Sequence, residues 1–220
     1  MKWVYLAAGV ILALKMLFLP NPAADFGPNS IVDTIVRESG VVNSVSAIIL
    51  RNRLYDTIFE VIVFTIAILG ASYLLANDKP ALEIHRFQDQ PSLVLARLGA
   101  TISALVAVEL AIRGHLSPGG GFAAGVAGGT AIGLIAITSS PEWMQAIYKR
   151  WHAATWEKIS VLLFIVLSVI TLSGFELPHG ELGALVSGGI VPILNFLVAV
   201  KVALGSWAVI LIFIRYRGLL

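Results

Sequence analysis

Long apolar runs alternate with short polar linkers along this chain, a pattern that predicts membrane-spanning helices. The runs cover residues 3–19, 57–75, 92–112, 123–137, 156–173 and 190–214. A helix needs about 20 residues to cross the hydrocarbon core, so the run at 123–137 is short unless its helix begins within the preceding glycines. No Ala-x-Ala-like cleavage site follows the first run, which favours a helix over a signal peptide. We therefore predict an all-α integral membrane protein with about six transmembrane helices.

Polar and half-polar segments divide these runs. After Gly40, apolar residues recur at helical spacing, which predicts an amphipathic segment on the membrane surface. Its apolar positions are Val41, Val42, Val45, Ile48 and Ile49. The most polar linker, residues 77–91, separates two predicted spans from four. We place a domain boundary there, between residues 1–80 and residues 92–220.

Lysines and arginines beside the runs predict the orientation, because cytoplasmic flanks carry the excess of these residues. With a cytoplasmic N-terminus, that side collects Lys2, Lys79, Arg86, Lys149, Arg150, Arg215 and Arg217. The opposite side has Arg37, Arg51, Arg53 and Arg113. We therefore predict a multi-pass protein of the plasma membrane with both termini in the cytoplasm.

The composition is typical of a membrane protein and limits the cofactor sites that the chain can form. Of 220 residues, 58% are hydrophobic and 13% are charged, with a mean hydropathy of +0.89, whereas soluble domains have about 25% charged residues. The absence of cysteine excludes disulfides, thiolate-held iron–sulfur clusters and zinc–thiolate sites. A net charge of +2 gives no reason to expect nucleic acid. We expect a lipid bilayer as surroundings and no cofactor or metal in this chain.

The stretch RGHLSPGGGFAAG, residues 113–125, contains three consecutive glycines that a function must explain. A phosphate-binding loop also needs Gly-Lys-Ser/Thr leading into its helix, and here Phe122 and Ala123 follow the glycines. Pro118, Gly119 and Gly120 instead predict a tight bend at membrane depth, which is tolerated only where protein or a wet cavity surrounds the backbone. We therefore expect this loop to be buried within an assembly.

Glycines continue from this loop into the next apolar run at a strict spacing of four. Gly121, Gly125, Gly129 and Gly133 form one stripe if the run is helical. Small residues at this spacing let a second membrane helix approach closely, because association in lipid depends on van der Waals contact. We predict that the stripe holds the assembly together by packing against a neighbouring subunit.

The most unusual charge is Lys201, midway along the last apolar run, with Asn195 about two turns before it. A charge at the centre of a membrane helix costs about 2.5 to 3.5 kcal/mol on insertion scales, so it requires a partner or a wet path. One interpretation is a lysine that exchanges its charge with a passing ion or proton. The alternative is a structural lysine paired with a carboxylate of a neighbouring subunit.

Asp56 and Glu60 lie four residues apart, so both carboxylates project from one helix face, with Glu60 deeper in the membrane. Carboxylate oxygens suit a hard cation such as Na⁺, so such a pair can exchange protons for cations. Asp-Thr at a helix start is also an ordinary N-terminal cap. We favour a path role for Glu60 and capping for Asp56.

Glu109, His115 and the uncharged Asn195 are further candidates for the same path. Glu109 and Arg113, four residues apart, favour an interfacial salt bridge, although Glu109 stays a path candidate. His115 is a possible proton relay, since the ordinary histidine pKa is near about 6.5, or a loop histidine bonded to a backbone carbonyl. The acidic loop at 175–181 favours solvated charge over an ion entry. No predicted span contains a nucleophile–base–orienter set, so nothing in the spans supports covalent catalysis.

The glycine loop resembles that of the MnhB-type domain of Mrp cation/proton antiporters, in which the sequence is Gly-His-x-x-Pro-Gly-Gly-Gly-Phe. The resemblance covers residues 92–220. Upstream, residues 42–70 are similar to the C-terminal part of the large Mrp A subunit, where Asp-Thr-x-x-Glu opens a helix; this implies an ion-path role for Glu60. In archaeal membrane-bound hydrogenases and sulfane reductases, related to complex I, that part is separate from the large subunit.

The resemblance implies a subunit of such a respiratory complex, with other Mrp-type membrane subunits and a hydrogenase or sulfane-reductase peripheral arm as partners, and Na⁺ or H⁺ as cargo. A subunit of a stand-alone Mrp antiporter is the nearest alternative. A purely structural subunit, with ions moving elsewhere, is a second. An independent membrane enzyme has the least support.

Overall fold

A computed structural model of the chain describes Leu14, residues 31–84 and residues 86–218. Residues 35–220 form one compact unit and residues 1–34 form another, of which only Leu14 and residues 31–34 are described. The predicted first span at 3–19 therefore lies, except for Leu14, outside the described residues. The domain boundary within residues 77–91 stays a prediction.

The described residues fold into eight α-helices and one π-helical turn, with no strand among them, which confirms the all-α class. The helices are α1 (Ile31–Ser39), α2 (Ser44–Ala47), α3 (Leu54–Leu75), α4 (Gln90–Arg113), α5 (Gly120–Ala136), α6 (Pro141–Arg150), α7 (Ala153–Leu172) and α8 (Val191–Arg217), and the π turn is Ile48–Asn52. Four of them, α3, α4, α7 and α8, are long and apolar enough to cross a membrane.

Helix α5 answers the question raised by the short fourth run. It begins at Gly120, within the glycine loop, and has 17 residues, which at 1.5 Å per residue gives a length of about 25 Å. Gly119 and Gly120 have φ angles of 134° and 76°. An L side chain is strained in this left-handed region, so glycine permits the sharp entry into α5.

Helix α8 lies at the centre of the bundle and contacts α3, α4, α5, α6 and α7. One face of α8 contributes Val191, Leu194, Val198 and Val202 to the main hydrophobic core, where they meet buried residues of α3 and α7. The other long helices bury fewer side chains within this chain, and α3, α4 and α7 leave broad apolar faces exposed. Those faces are available to lipid or to other subunits.

The predicted amphipathic segment is not one continuous helix. Gly40, with φ of 65°, ends α1, and the chain then forms the short α2 and the π turn. Val41 is fully buried in the core, whereas Val42 and Val45 are exposed. The predicted apolar stripe is therefore divided between two environments; its position on a membrane surface stays a prediction.

Helix α6 is a short amphipathic helix between α5 and α7. Ser140 caps its start by accepting a hydrogen bond from the backbone N–H of Trp143 at 3.3 Å, and Pro141 occupies its first turn. Lys149 and Arg150 lie in its last turn, where positive charge is favourable. Met144 packs with Ala136 and Ile214 in a second small core, which anchors α6 across the ends of α5 and α8.

Candidate functional site

Lys201 lies about 15 Å along α8 from Val191 at 1.5 Å per residue, and its side chain is fully buried. The ammonium group forms an ion pair and hydrogen bond with Glu157 of α7. It also lies 5.5 Å from the centre of the Phe64 ring of α3, a separation at which a cation is attracted to an aromatic face. Three helices therefore converge on one buried charge.

This geometry corrects the alternative interpretation, in which a neighbouring subunit supplies the carboxylate. The partner is Glu157 of the same chain, whose side chain is only 13% exposed. Glu157 is not among the sequence-based candidates because it lies near the start of a predicted span, where charge is common. The sequence does show a lysine and a carboxylate in two consecutive predicted spans, which is a signal for such a pair. Only the packing of α7 against α8 brings the two side chains together.

Glu60 projects from α3 and is exposed on the surface of the chain. It makes no hydrogen bond or ion pair with any residue in the described ranges. One helical turn further along α3 is Phe64, whose ring lies beneath Lys201. A carboxylate that faces outward within a spanning helix therefore lies about one turn, or about 6 Å of rise, from the side chain that contacts the buried ion pair.

Asp56 does not cap α3, so the predicted capping role is wrong. Arg53 occupies the cap position and no side chain caps this helix. The Asp56 carboxylate instead forms an ion pair with Arg53 three residues earlier. The reason is the π turn, which delays the start of α3 until Leu54 and so places Asp56 inside the first turn.

Glu109 and Arg113 form the predicted salt bridge across one turn of α4, with 3.1 Å between Nη1 and Oε1. Both side chains are more than half exposed. Surface pairs of this kind contribute between about 0 and 1 kcal/mol. The bundle does not bring Glu109 into contact with Lys201 or Glu60, which separates it from those two candidates.

The glycine loop is buried within this chain by the segment that follows α1. The Asn43 side chain donates hydrogen bonds to the carbonyls of Gly114 and Ser117 at 2.8 and 2.7 Å, and Ser46 donates to Gly114 at 2.6 Å. Asn43 also caps α2 by accepting from the backbone N–H of Val45 and Ser46. The sequence predicts burial of this loop in an assembly, and here the chain itself supplies the cover.

His115 is fully buried beneath the loop that connects α7 and α8. Burial lowers the pKa of its imidazole from the usual 6.5, an effect that the nearby backbone of Ala184 and Leu185 opposes in part. Neither ring nitrogen has a hydrogen-bond partner of normal geometry among the described residues. Burial therefore disfavours the charged form of this imidazole.

Asn195 joins the first turns of α8 to the end of α4. Its side-chain amide donates to the carbonyls of Leu110 and Ala111 at 3.2 and 2.9 Å. A side chain added at Gly114 would approach the same amide to 2.6 Å, so this glycine permits the contact. Asn195 thus holds α4 and α8 together at the glycine loop, away from Lys201, two turns further along α8.

The glycine stripe faces α8 of the same chain. A Cβ added at Gly125 would lie 2.7 Å from Val202 Cγ1, and one at Gly129 would lie 2.7 Å from Ser206 Cβ. A Cβ at Gly121 would meet Asn195 and Val198, and at Gly133 it would lie 3.4 Å from Ile210. The predicted close helix contact exists, but the prediction that it lies at a subunit boundary is wrong, because the stripe packs within the bundle.

Replacing Asn43 by alanine is expected to destabilise the chain, since it removes the cap of α2 and the donors to two loop carbonyls. We expect a loss of about 2 to 4 kcal/mol from these combined interactions. The melting temperature of the purified protein in detergent measures the effect. Asn52→Ala is the matched control, because Asn52 is exposed; equal melting temperatures for the two variants would contradict the assigned role.

Comparison with known proteins identifies the fold. The model of the domain related to the MnhB subunit of Na⁺/H⁺ antiporter matches residues 91–208. The chain belongs to the MnhB family. This confirms the resemblance inferred from the glycine loop, and the match begins in the linker that carries the predicted domain boundary.

Two relatives extend the comparison of this MnhB-family chain. It is 26% identical to the probable K⁺/H⁺ antiporter A/B subunit of Rhizobium meliloti (strain 1021), over 71% of this chain and 18% of that relative. The chain thus spans less than a fifth of that relative's length. A chain in the structure of the membrane-bound sulfane sulfur reductase, an archaeal respiratory membrane complex, matches with a TM-score of 0.70 and 25% identity, covering 98% of this chain and 99% of that chain. The MnhB-family chain is a multi-pass membrane protein.

Proposed function

We propose that this chain is a membrane subunit of an Mrp-type cation/proton antiporter module within a respiratory complex related to complex I, where it contributes to ion translocation. The family supports a role in an antiporter module. The end-to-end match with a chain of a sulfane sulfur reductase complex supports the respiratory setting over a stand-alone antiporter. The partners are other Mrp-type membrane subunits and a peripheral redox arm of the hydrogenase or sulfane-reductase kind.

The observation that carries this proposal is the buried ion pair between Lys201 and Glu157. Removing the two charges from water costs desolvation energy that their mutual attraction offsets only in part. Apolar residues of similar volume would therefore stabilise the bundle as well as the ion pair does. An ion pair that opens when a proton or cation reaches Glu157 gives the lysine a second state. The pair then acts as a charge relay in the middle of the bundle.

Glu60 gives this relay an outer neighbour. Its carboxylate faces away from the chain on α3 and has no partner within residues 31–84 and 86–218, and a lone carboxylate against hydrocarbon is costly. A neighbouring subunit or a wet path must therefore cover this face. Phe64, one helical turn after Glu60 on α3, contacts the Lys201 ammonium at 5.5 Å and so links this helix to the inner pair.

The remaining candidates have structural roles in this proposal. Asp56 and Glu109 form ion pairs with nearby arginines. Asn195 connects α4 to α8 by hydrogen bonds, and His115 is buried in the glycine loop. In this proposal the chain acts in transport, any redox catalysis lies in other subunits, and the cargo is Na⁺ or H⁺. It resides in the plasma membrane with both termini in the cytoplasm, as the distribution of lysine and arginine favours.

A purely structural subunit is the alternative, and one observation favours it. Lys201 is neutralised entirely within the chain, so its charge alone does not require a moving ion. The two functions differ in what happens when a charge is removed without loss of assembly. A structural subunit tolerates such a change, whereas a translocating one loses transport.

Replacing Glu60 by glutamine tests the proposed function. Loss of a charge that offsets a cation within the membrane is expected to slow sodium or proton movement by about a hundredfold, corresponding to about 2.8 kcal/mol. The measurement is sodium uptake and internal pH in sealed vesicles that contain the purified complex.

Glu142→Gln is the matched control, because Glu142 is an exposed carboxylate on α6, outside the spanning helices. Mass spectrometry of the purified complexes establishes that every subunit is retained. Normal transport by an intact Glu60→Gln complex would remove Glu60 from the path and favour the structural alternative.

A further inference from the structure

Arg97 is a charged residue within a spanning helix that the ion path does not use. It lies seven residues after Gln90 in α4, which corresponds to about 10 Å along the helix axis. Its side chain is exposed and makes no ion pair or hydrogen bond with any residue that the structure describes. An arginine at this depth requires an anion or access to the headgroup region.

Arg97 borders an apolar groove of about 620 Å³ between α4, α5, α6 and α8. Small residues of α4, including Ala100, Thr101 and Ala104, form one wall. Trp143 of α6 and Trp207 of α8 are also part of the lining. This volume lies within the range typical of small-molecule sites, about 300 to 1,000 Å³, in which apolar walls surround a few polar groups.

The groove lies at the basic end of the bundle. Hydrogen bonds from Phe87 to Ile137 and from Ala81 to Arg215 join the linker before α4 to the ends of α5 and α8. The same end carries Lys79, Arg86, Lys149, Arg150, Arg215 and Arg217. Anionic lipid headgroups are attracted to basic clusters between transmembrane helices, and tryptophan is enriched at the level of the headgroups.

We propose that this groove binds an anionic phospholipid, with an acyl chain along the small-residue wall of α4 and the headgroup phosphate on Arg97. Charge complementarity specifies the headgroup, since a guanidinium forms two parallel hydrogen bonds with a phosphate. The apolar lining of the groove accounts for the acyl chain of the lipid. Trp143, exposed at the rim on α6, lies at the level expected for the lipid's polar–apolar boundary.

The shape of the groove favours a lipid over a helix of a partner subunit. A partner helix about 10 Å across fills roughly 420 Å³ per turn, so the groove holds only about one and a half turns of it. Residues Trp143, Met144 and Ile147 of α6 line the groove at the basic end, where a spanning helix must continue into the headgroup region. A lipid molecule ends in the headgroup region, so α6 does not obstruct it.

Lipid retention after detergent purification tests this proposal without reference to transport. The intact complex is delipidated and then incubated with phosphatidylglycerol or phosphatidylcholine of the same acyl chains, and bound lipid is counted by native mass spectrometry. We expect the unmodified protein to prefer phosphatidylglycerol. Arg97→Gln is expected to reduce this preference by about fivefold, equivalent to about 1 kcal/mol for one basic residue.

Arg86→Gln is the matched control, because Arg86 is exposed at the same end but does not border the groove; it is expected to keep the preference. Ala104→Phe fills the groove without changing the charge and is expected to lower retention of both lipids. An unmodified protein with no preference, or an unchanged preference in Arg97→Gln, would overturn the proposal, as would unchanged retention in Ala104→Phe. Loss of a partner subunit from Arg97→Gln with lipid preference intact would instead assign Arg97 to a protein carboxylate.

Discussion

Replacing both Lys201 and Glu157, as Lys201→Met with Glu157→Gln, is expected to give an assembled complex that no longer moves sodium or protons into sealed vesicles. The double variant removes the whole buried pair, and replacement of such a pair by uncharged residues of similar volume is often neutral or stabilising. Assembly should therefore survive. Transport should not, because the bundle has lost the charges that exchange with the ion.

The single variants are expected to behave differently. Lys201→Met leaves Glu157 buried without its partner, and breaking a buried pair in this way costs about 3 to 5 kcal/mol. The melting temperature of the complex is therefore expected to fall in either single variant and to recover in the double variant. Assembly of the single variants alone does not separate a moving lysine from a structural one, whereas transport by the double variant does.

Sodium uptake and subunit composition, measured on the same preparations, decide between the two functions. Arg113→Met with Glu109→Gln is the control, since it removes an exposed pair of the same kind from a spanning helix. Normal transport by the assembled Lys201→Met, Glu157→Gln complex would refute a translocating role for the pair. Glu60 would then be the remaining candidate on this chain.

Replacing Gly125 by leucine is expected to prevent the chain from folding, because α5 and α8 are in direct contact at this position. Even a single added Cβ would lie 2.7 Å from Val202 Cγ1 and 2.9 Å from the carbonyl oxygen of Ala199. Overpacking of a close contact costs about 1 to 3 kcal/mol or more, and leucine adds three further carbons. Size-exclusion chromatography of the detergent extract should show loss of the monodisperse folded species.

Two substitutions calibrate this result. Gly133→Ala places its Cβ 3.4 Å from Ile210, an ordinary contact within the same stripe, and is expected to fold normally. Gly70→Leu adds the same side chain to α3, where nothing lies within 4 Å of the new Cβ. A Gly125→Leu chain that folds but loses its partner subunits would place the stripe at a subunit boundary after all.

The sequence by itself determined the helical class, the positions of the described spans and the family. Hydrophobic runs of membrane length predict spanning helices, because a helix pairs all its backbone polar groups within the segment and hydrocarbon offers them no other partner. The four-residue spacing of glycines specified a close helix contact, and the central position of Lys201 specified a need for compensation. Each of these conclusions depends only on residues close together along the chain.

Only the tertiary structure decided which helices meet. The choice of α8 as the partner of the glycine stripe, and of Glu157 as the partner of Lys201, depends on contacts between residues far apart in sequence. Lipid is as apolar as the helix surfaces, so hydrophobicity does not distinguish a face that meets another helix from one that meets lipid. The groove beside Arg97 is formed by four helices together. The sequence pattern of one of these helices does not predict which other helices pack beside it.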